Sequence, residues 1–127
     1  MNKIFDQVIW NKNGLIPVVV QDISSLRVLM VAWMNHEALE LTIKEKRAVF
    51  WSRSRKKIWR KGEESGHIQK IKEVHLDCDG DVLILHVEQI GGISCHTGRV
   101  SCFYRVLRDD KWVTIDPVIK NSKEIYK

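Results

Sequence analysis

Three aspartates and one cysteine crowd into the stretch HLDCDGDVLILHV at residues 75–87. The three aspartates are Asp77, Asp79 and Asp81. They surround an Asp-Gly pair, which is a strong turn signal between strand-like segments, so their carboxylates are expected to converge on a hard divalent cation. The pattern is not an EF-hand, because Val82 stands where that loop needs glycine. Cys78 is one residue out of phase, and its thiol is therefore predicted to point to the opposite face.

The chain has three cysteines, Cys78, Cys95 and Cys102, in the spacing C-x16-C-x6-C. An odd number without a secretory signal predicts reduced thiols, which serve either as small buried apolar side chains or as metal ligands. Three thiolates complete a catalytic zinc site that leaves the fourth position open. The spacing lacks the C-x2-C pair of a zinc finger, so a closed structural site is expected only if His96 supplies a fourth ligand.

Strand-like segments dominate the chain. Strands are predicted at LIPVVVQD, LRVLMVAWM, AVFWSRS, QKIKEVHLDC, DVLILHVEQ, SCFYRVL and KWVTID. One helix is predicted after Asn35 as its N-cap, with Ala38, Leu39 and Thr42 on its buried face. No repeat or linker interrupts the chain, so residues 1–127 are predicted to form one compact, strand-rich α+β domain.

Composition is ordinary for a globular protein, with 44% hydrophobic and 29% charged residues. The longest apolar runs, LIPVVV and VLMVAWM, are far shorter than the ~18 residues of a membrane span. The N-terminus MNKIFDQVIW lacks the apolar core of a signal peptide. We therefore expect a cytoplasmic protein that does not enter a membrane.

Positive charge is concentrated in residues 44–72, where eleven lysines and arginines face three glutamates for a net charge of +8. The motif SRSRKK offers guanidinium groups and hydroxyls suited to phosphate, and on a strand Arg53 and Arg55 are predicted to share a face. The same segment contains Phe50, Trp51 and Trp59, so an alternative function is a zinc-stabilised module that binds RNA by stacking and charge. A further alternative is a structural zinc domain that binds protein. Neither alternative explains the aspartates.

Four motifs in fixed order resemble the phosphoribosyl-AMP cyclohydrolase family over about residues 15–108: AWMNHEALELT, FWSRSRKKIWRKGEESGH, LDCDGD and SCHTGRVSCFYR. The chain has Ser94 where that family often has alanine. The resemblance implies a β pseudobarrel built on a folded mixed sheet. It also implies a homodimer with shared zinc sites, in which Cys78 of one chain faces Cys95 and Cys102 of the other, and magnesium on the three aspartates.

The implied reaction is the third step of histidine biosynthesis, the hydrolytic opening of the purine ring of 1-(5-phosphoribosyl)-AMP. Because three thiolates acidify a zinc-activated water less than three histidines, a nearby base is useful, and His96 is the candidate. Alternatively, His96 orients the adjacent thiolate. The predicted substrate-binding residues are Trp51, Ser52, Arg53, Ser54, Arg55, Lys61, Glu63, Ser65 and Thr97. No nucleic acid is expected as a partner.

Overall fold

A four-stranded mixed sheet forms the centre of the protein in the computed structural model, which describes residues 2–126. Its strands are β1 (Ile16–Asp22), β2 (Val28–Met34), β5 (Gln69–Leu76) and β6 (Leu83–Gln89), in the order β2-β1-β6-β5. The β1–β2 and β5–β6 pairs are antiparallel, whereas β1 and β6 run parallel. The order places β2 and β5 at the two edges of this sheet.

Two antiparallel hairpins and three helices complete the described chain. The hairpins pair β3 (Val49–Ser52) with β4 (Lys57–Arg60), and β7 (Arg105–Arg108) with β8 (Lys111–Thr114). The helices are α1 (Asn2–Asp6), α2 (His36–Glu45) and α3 (Ser122–Ile125), and a short 3-10 turn spans Ile90–Gly92. No helix within residues 2–126 is long and apolar enough to cross a membrane.

Alternating burial shows which face of the sheet packs on the core. Val18 and Val20 of β1 and Leu85 and Val87 of β6 are fully buried, while the residues between them are half-buried. This period of two is the pattern of strands that cover a core with one face. Helix α2 covers that core, as predicted, with Ala38, Leu39 and Thr42 buried.

The start and the packing of α2 are fixed by two polar side chains. The Asn35 side-chain oxygen accepts a hydrogen bond from Ala38 N at 2.8 Å, which confirms the predicted N-cap. The buried Thr42 hydroxyl accepts from Val49 N at 3.0 Å and lies 2.8 Å from Ala38 O, to which it donates. The helix is thereby joined to the first residue of β3, which lies within the basic segment at residues 44–72.

The strand-rich α+β class, the β5–β6 hairpin and the single main helix are confirmed. Three details differ from the prediction. The strands do not close into a barrel within residues 2–126, β4 was not predicted, and the strand expected from Ser101 begins only at Arg105. The four residues of β4 are two adjacent apolar residues between two basic ones, so they lack the alternation of apolar and polar residues that identifies a strand in a sequence.

The segment after β8 is tied back to the sheet by one ion pair. Both terminal nitrogens of Arg27 donate to the Asp116 carboxylate, with Nη1 at 2.7 Å from Oδ1. The Arg27 guanidinium holds the pKa of the Asp116 carboxyl below its usual value. The Asp116 backbone oxygen accepts from Arg99 Nε at 3.0 Å, so the same residue also positions the loop that carries the later cysteines.

Candidate active site

A cavity of about 660 Å³ opens between the β3–β4 hairpin, the loop at residues 94–102 and the C-terminal Tyr126. Eight of the residues predicted for the site line it: Ser52, Ser54, Arg55, Lys61, Glu63, Ser65, His96 and Cys102. Lys57, Trp59, Glu64, Ser94 and Tyr126 also line it and were not predicted as site residues. Tyr126 lies 24 residues beyond Cys102 in the sequence, and no local motif marks it.

The Cys102 thiol lies on the wall of this cavity, and the buried Cys95 thiol lies within hydrogen-bond reach of it. A tight turn carries Cys95, with Gly98 N donating to Cys95 O at 2.9 Å and Cys95 N donating to Arg99 O at 3.1 Å. Gly98 has a φ of +86°, and a Cβ there would lie 1.6 Å from Lys120 O, so only glycine fits this turn. Cys102 is held at the sheet edge, because its N donates to Leu29 O of β2 at 2.7 Å.

The two thiols have different neighbours, because a hydroxyl donates to Cys95 whereas Cys102 faces the cavity. The Thr97 hydroxyl does not line the cavity but donates to Cys95 Sγ at 3.0 Å, which places this predicted substrate ligand behind the thiol. Although Cys102 keeps an exposed edge, burial and the neighbouring Cys95 thiol raise the pKa of Cys102 to about 12. Two adjacent thiols are a donor pair for a soft cation, because a bound metal replaces their protons.

Lys61 supplies positive charge next to these thiols. The residue is only 8% exposed, and its Nζ donates to Ser94 O at 2.6 Å. Burial lowers the pKa of Lys61, and the charges of Cys102 and Cys95 oppose that shift. The Ser94 hydroxyl is buried and has no hydrogen-bond partner among residues 2–126. A buried ammonium that faces two thiols favours their thiolate forms.

The three aspartates lie in the six-residue loop between β5 and β6, where Gly80 N donates to Asp77 O at 2.9 Å. Hydrogen bonding to Asp77 raises the pKa of Asp81, and the nearby negative charge of Asp79 adds to this. The Asp77 and Asp79 carboxylates thus lie close together, with Asp81 hydrogen-bonded to Asp77, and their convergence on a cation stays a prediction. The predicted opposite orientation of Cys78 is wrong, since its Sγ and the Asp77 and Asp79 carboxylate oxygens lie within 4.8 Å of one another. This loop is a turn and not an extended strand, so the strand alternation does not apply to it.

Cys78 does not join the other two cysteines within one chain. It follows β5 at one edge of the sheet, whereas Cys102 is bonded to β2 at the other edge. Three inter-strand spacings separate these edges, which amounts to roughly 14 Å. Ligands of one zinc ion lie within about 2.3 Å of the metal, so a single copy of this chain cannot place all three thiols on the same ion.

The basic segment divides into a cavity side and an outer side. Arg55 lines the cavity, whereas the Arg53 guanidinium lies over the Trp33 ring at 4.5 Å from its centroid. The prediction that both arginines share a strand face is wrong, because β3 ends at Ser52 and a hydrogen-bonded turn follows, with Arg55 N donating to Ser52 Oγ at 3.2 Å. Trp51 is half-buried and does not line the cavity.

The aromatic residues of this segment are mostly used in packing. Phe50 is fully buried and packs against Trp59, with ring centroids 5.6 Å apart and planes at 45°. A buried ring cannot stack on a base, which removes one member of the platform that RNA binding would need. Trp59 instead lies beneath the Lys61 ammonium, 5.4 Å from the ring centroid.

Comparison with known proteins is consistent with this geometry. The family model of phosphoribosyl-AMP cyclohydrolase matches residues 30–104. Relatives of that name include one from Azotobacter vinelandii, 58% identical over 127 residues, which cover all of this chain and 96% of the relative. Another, from Pseudomonas aeruginosa, is 61% identical over 127 residues, covering all of this chain and 95% of the relative. A third, from Pseudomonas savastanoi pv. phaseolicola, is 61% identical over 126 residues, covering 99% of this chain and 97% of the relative. The chain belongs to the phosphoribosyl-AMP cyclohydrolase family, as the sequence motifs predicted.

Proposed function

We propose, on the premise of this family membership, that the chain opens the purine ring of 1-(5-phosphoribosyl)-AMP in histidine biosynthesis. Water adds to ring carbon 6, the bond from carbon 6 to ring nitrogen 1 breaks, and the nitrogen takes up a proton. The product is the phosphoribosyl-formimino aminoimidazole carboxamide ribotide. The observation that carries the proposal is the meeting of a thiol pair, a buried lysine and a basic, hydroxyl-rich rim in one cavity.

The donor sets fit two different cations. Thiols suit zinc, and the proposed ligands are Cys95 and Cys102 of one chain with Cys78 of a second. Zinc held by thiolates supplies a Lewis acid that makes water nucleophilic near neutral pH. Convergent carboxylates suit magnesium, which Asp77, Asp79 and Asp81 would hold.

The chain's own residues bind the substrate and move its protons. The substrate carries two phosphates, for which Arg55, Ser52 and Ser54 offer a guanidinium and hydroxyls on the cavity wall. Lys61 lies deeper and adds positive charge beside the thiols. His96 is exposed on the cavity wall and is assigned the transfer of a proton from the attacking water.

A homodimer completes the site in this proposal. The separation of Cys78 from the thiol pair requires a second chain if all three bind one ion. Apolar side chains of the β7–β8 region support such a partner, because in the single chain they face solvent. Phe103 is 51% exposed, Leu107 58% and Trp112 69%. A second copy of the chain is the partner that both observations fit. We further propose that residues 1–127 act as one domain and work in the cytoplasm.

The proposal is tested by measuring purine ring opening and bound metal on the same purified protein. The expected result is about one tightly bound zinc per chain, and loss of ring opening in each of the variants Cys78→Ala, Cys95→Ala and Cys102→Ala. Dilute EDTA should first remove an activity that added magnesium restores, because carboxylates hold their cation less tightly than thiolates hold zinc. Zinc binding without ring opening would contradict the proposed reaction, and activity that magnesium never restores would contradict the second metal.

A further inference from the structure

A cluster of two histidines and one glutamate lies on the outer face of the central sheet, at the opposite edge from Cys102. Glu73 and His75 are two residues apart on β5, so they share a face. His86 on β6 is the cross-strand neighbour of Glu73, and Gln21 on β1 is the neighbour of His86. Three adjacent strands therefore bring four polar side chains together on one side of the sheet.

The ligand atoms of this cluster are close enough to share one ion. His75 Nε2 and His86 Nδ1 each lie 3.1 Å from Glu73 Oε1, and all three atoms lie within 4.8 Å of one another. Two ligands on a tetrahedral zinc ion are about 3.3 Å apart, given metal–ligand distances of about 2.0 Å. The two printed separations of 3.1 Å fit this value, and the His75 side chain, which is 51% exposed, has room to adjust its distance from His86.

Gln21 fixes the state of the His86 ring. The Gln21 Nε2 group donates to Leu26 O at 2.7 Å, so its Oε1 is the atom that faces His86 Nε2 at 2.8 Å. His86 Nε2 must therefore carry a hydrogen and donate it, which leaves a lone pair on Nδ1 of the neutral ring. That lone pair faces the Glu73 carboxylate oxygen at 3.1 Å. Two electron-rich atoms at this separation repel each other unless a cation lies between them.

We propose that Glu73, His75 and His86 form a further metal site, for a divalent transition ion of the zinc or nickel class. Imidazole nitrogens favour these ions over magnesium and calcium, which prefer oxygen ligands. Histidines that bind metals usually donate their other ring N–H to an oxygen, and Gln21 provides that oxygen for His86. The exposed side of the cluster leaves positions for water. The site uses no group of the proposed ring-opening reaction.

The bound ion would fasten β5, the edge strand, to β6. The Asp77 loop follows directly after β5, so the site would also hold the start of that loop. A ligand that binds only the folded chain raises its free energy of unfolding in proportion to the logarithm of ligand concentration over Kd. The melting temperature is therefore expected to rise with added nickel and to rise less when a ligand is removed.

The test titrates Ni²⁺ into the full chain with its zinc and magnesium bound, using calorimetry. The wild type should bind one Ni²⁺ per chain at this site, and His86→Gln and Glu73→Gln should weaken it at least tenfold. Gln21→Leu, which removes the oxygen that accepts from His86 together with the amide that donates to Leu26 O, should weaken binding about 10- to 100-fold. His36→Gln and Glu88→Gln are matched controls that should leave it unchanged, since His36 stacks on Phe5 and Glu88 pairs with Lys72.

Equal Ni²⁺ affinity in the wild type and the two ligand variants overturns the proposal, as does a wild type that binds no Ni²⁺ beyond its other sites. Crystals of the wild type soaked in Ni²⁺ give a readout that does not depend on any variant folding. An anomalous scattering peak among the three ligands supports the site, and an empty cluster beside occupied sites elsewhere overturns it. In that case a proton on His86 Nδ1, and not a metal ion, would lie between this nitrogen and Glu73 Oε1.

Discussion

Replacing Lys61 with methionine separates the contribution of its charge to activity from its contribution to stability. Methionine has nearly the same length as lysine and can occupy the same buried position, where Lys61 is 8% exposed. The substitution removes the ammonium that donates to Ser94 O and faces the two thiols. The surrounding β4 strand and the cavity wall remain otherwise unchanged.

The expected effect on stability is small because two contributions oppose each other. Loss of a hydrogen bond from a charged donor costs about 1.5–3 kcal/mol. Relief of the desolvation penalty of a buried ammonium returns several kcal/mol, and it is this penalty that lowers the pKa of Lys61. We therefore expect the free energy of unfolding of Lys61→Met to lie within about 2 kcal/mol of the wild type.

The expected effect on activity is large, since methionine offers the anionic substrate and the thiolates no charge. Loss of one charge-assisted contact in the transition state lowers kcat/KM by roughly 10- to 150-fold. Urea unfolding and steady-state ring opening measure the two quantities. Lys57→Met is the matched control, because Lys57 lines the same cavity but is exposed, and its loss should cost at most about fivefold. A Lys61→Met enzyme within threefold of wild type would refute the reasoning.

Three further predictions concern the loops around the site. Gly98→Ala should destabilise the fold by several kcal/mol and abolish activity, because a Cβ at this position would lie 1.6 Å from Lys120 O. Gly14→Ala is the control, since a Cβ there would meet open space, and it should cost only about 1 kcal/mol. Thermal unfolding of the two variants measures the difference. Asp116→Asn should lower stability by about 1–3 kcal/mol at pH 7, because the ion pair with Arg27 stabilises the fold while Asp116 is ionised. The pKa of Asp116 is lowered in the folded state, so this difference in stability should shrink as the pH falls through the folded pKa; pH-dependent urea unfolding measures this. Arg55→Ala should raise KM roughly 10- to 150-fold and Arg53→Ala far less, since only Arg55 lines the cavity; equal effects in steady-state kinetics would contradict the placement.

Local sequence patterns predicted the central sheet and α2 well. Asn35 is an N-cap because its side chain satisfies a free N–H of the first helical turn, and that chemistry depends only on neighbouring residues. The Asp-Gly turn and the strands around it are likewise local, with Gly80 at a φ of +74°. The closeness of the Asp77 and Asp79 carboxylates follows from that turn alone.

Features that depend on tertiary contacts could not be predicted from the sequence. The orientation of Cys78 was mispredicted because strand alternation was extended into a turn, and the shared face of Arg53 and Arg55 failed for the same reason. The contact of Lys61 with Ser94 O joins residues that are 33 positions apart in the sequence, and no local sequence pattern predicts it. Tyr126 enters the cavity from a segment whose role the sequence left undefined.

Mixing two inactive variants tests most directly whether one catalytic centre is built from two chains. Cys78→Ala and Cys95→Ala each remove a proposed ligand from every site of their own homodimer. In a heterodimer of the two, one shared site keeps all its ligands and the other lacks two. Co-expressed heterodimers are therefore expected to regain activity approaching half that of the wild type, with zinc retained at one site. Heterodimers that form but open no purine ring would show that the thiol ligands do not come together across two chains.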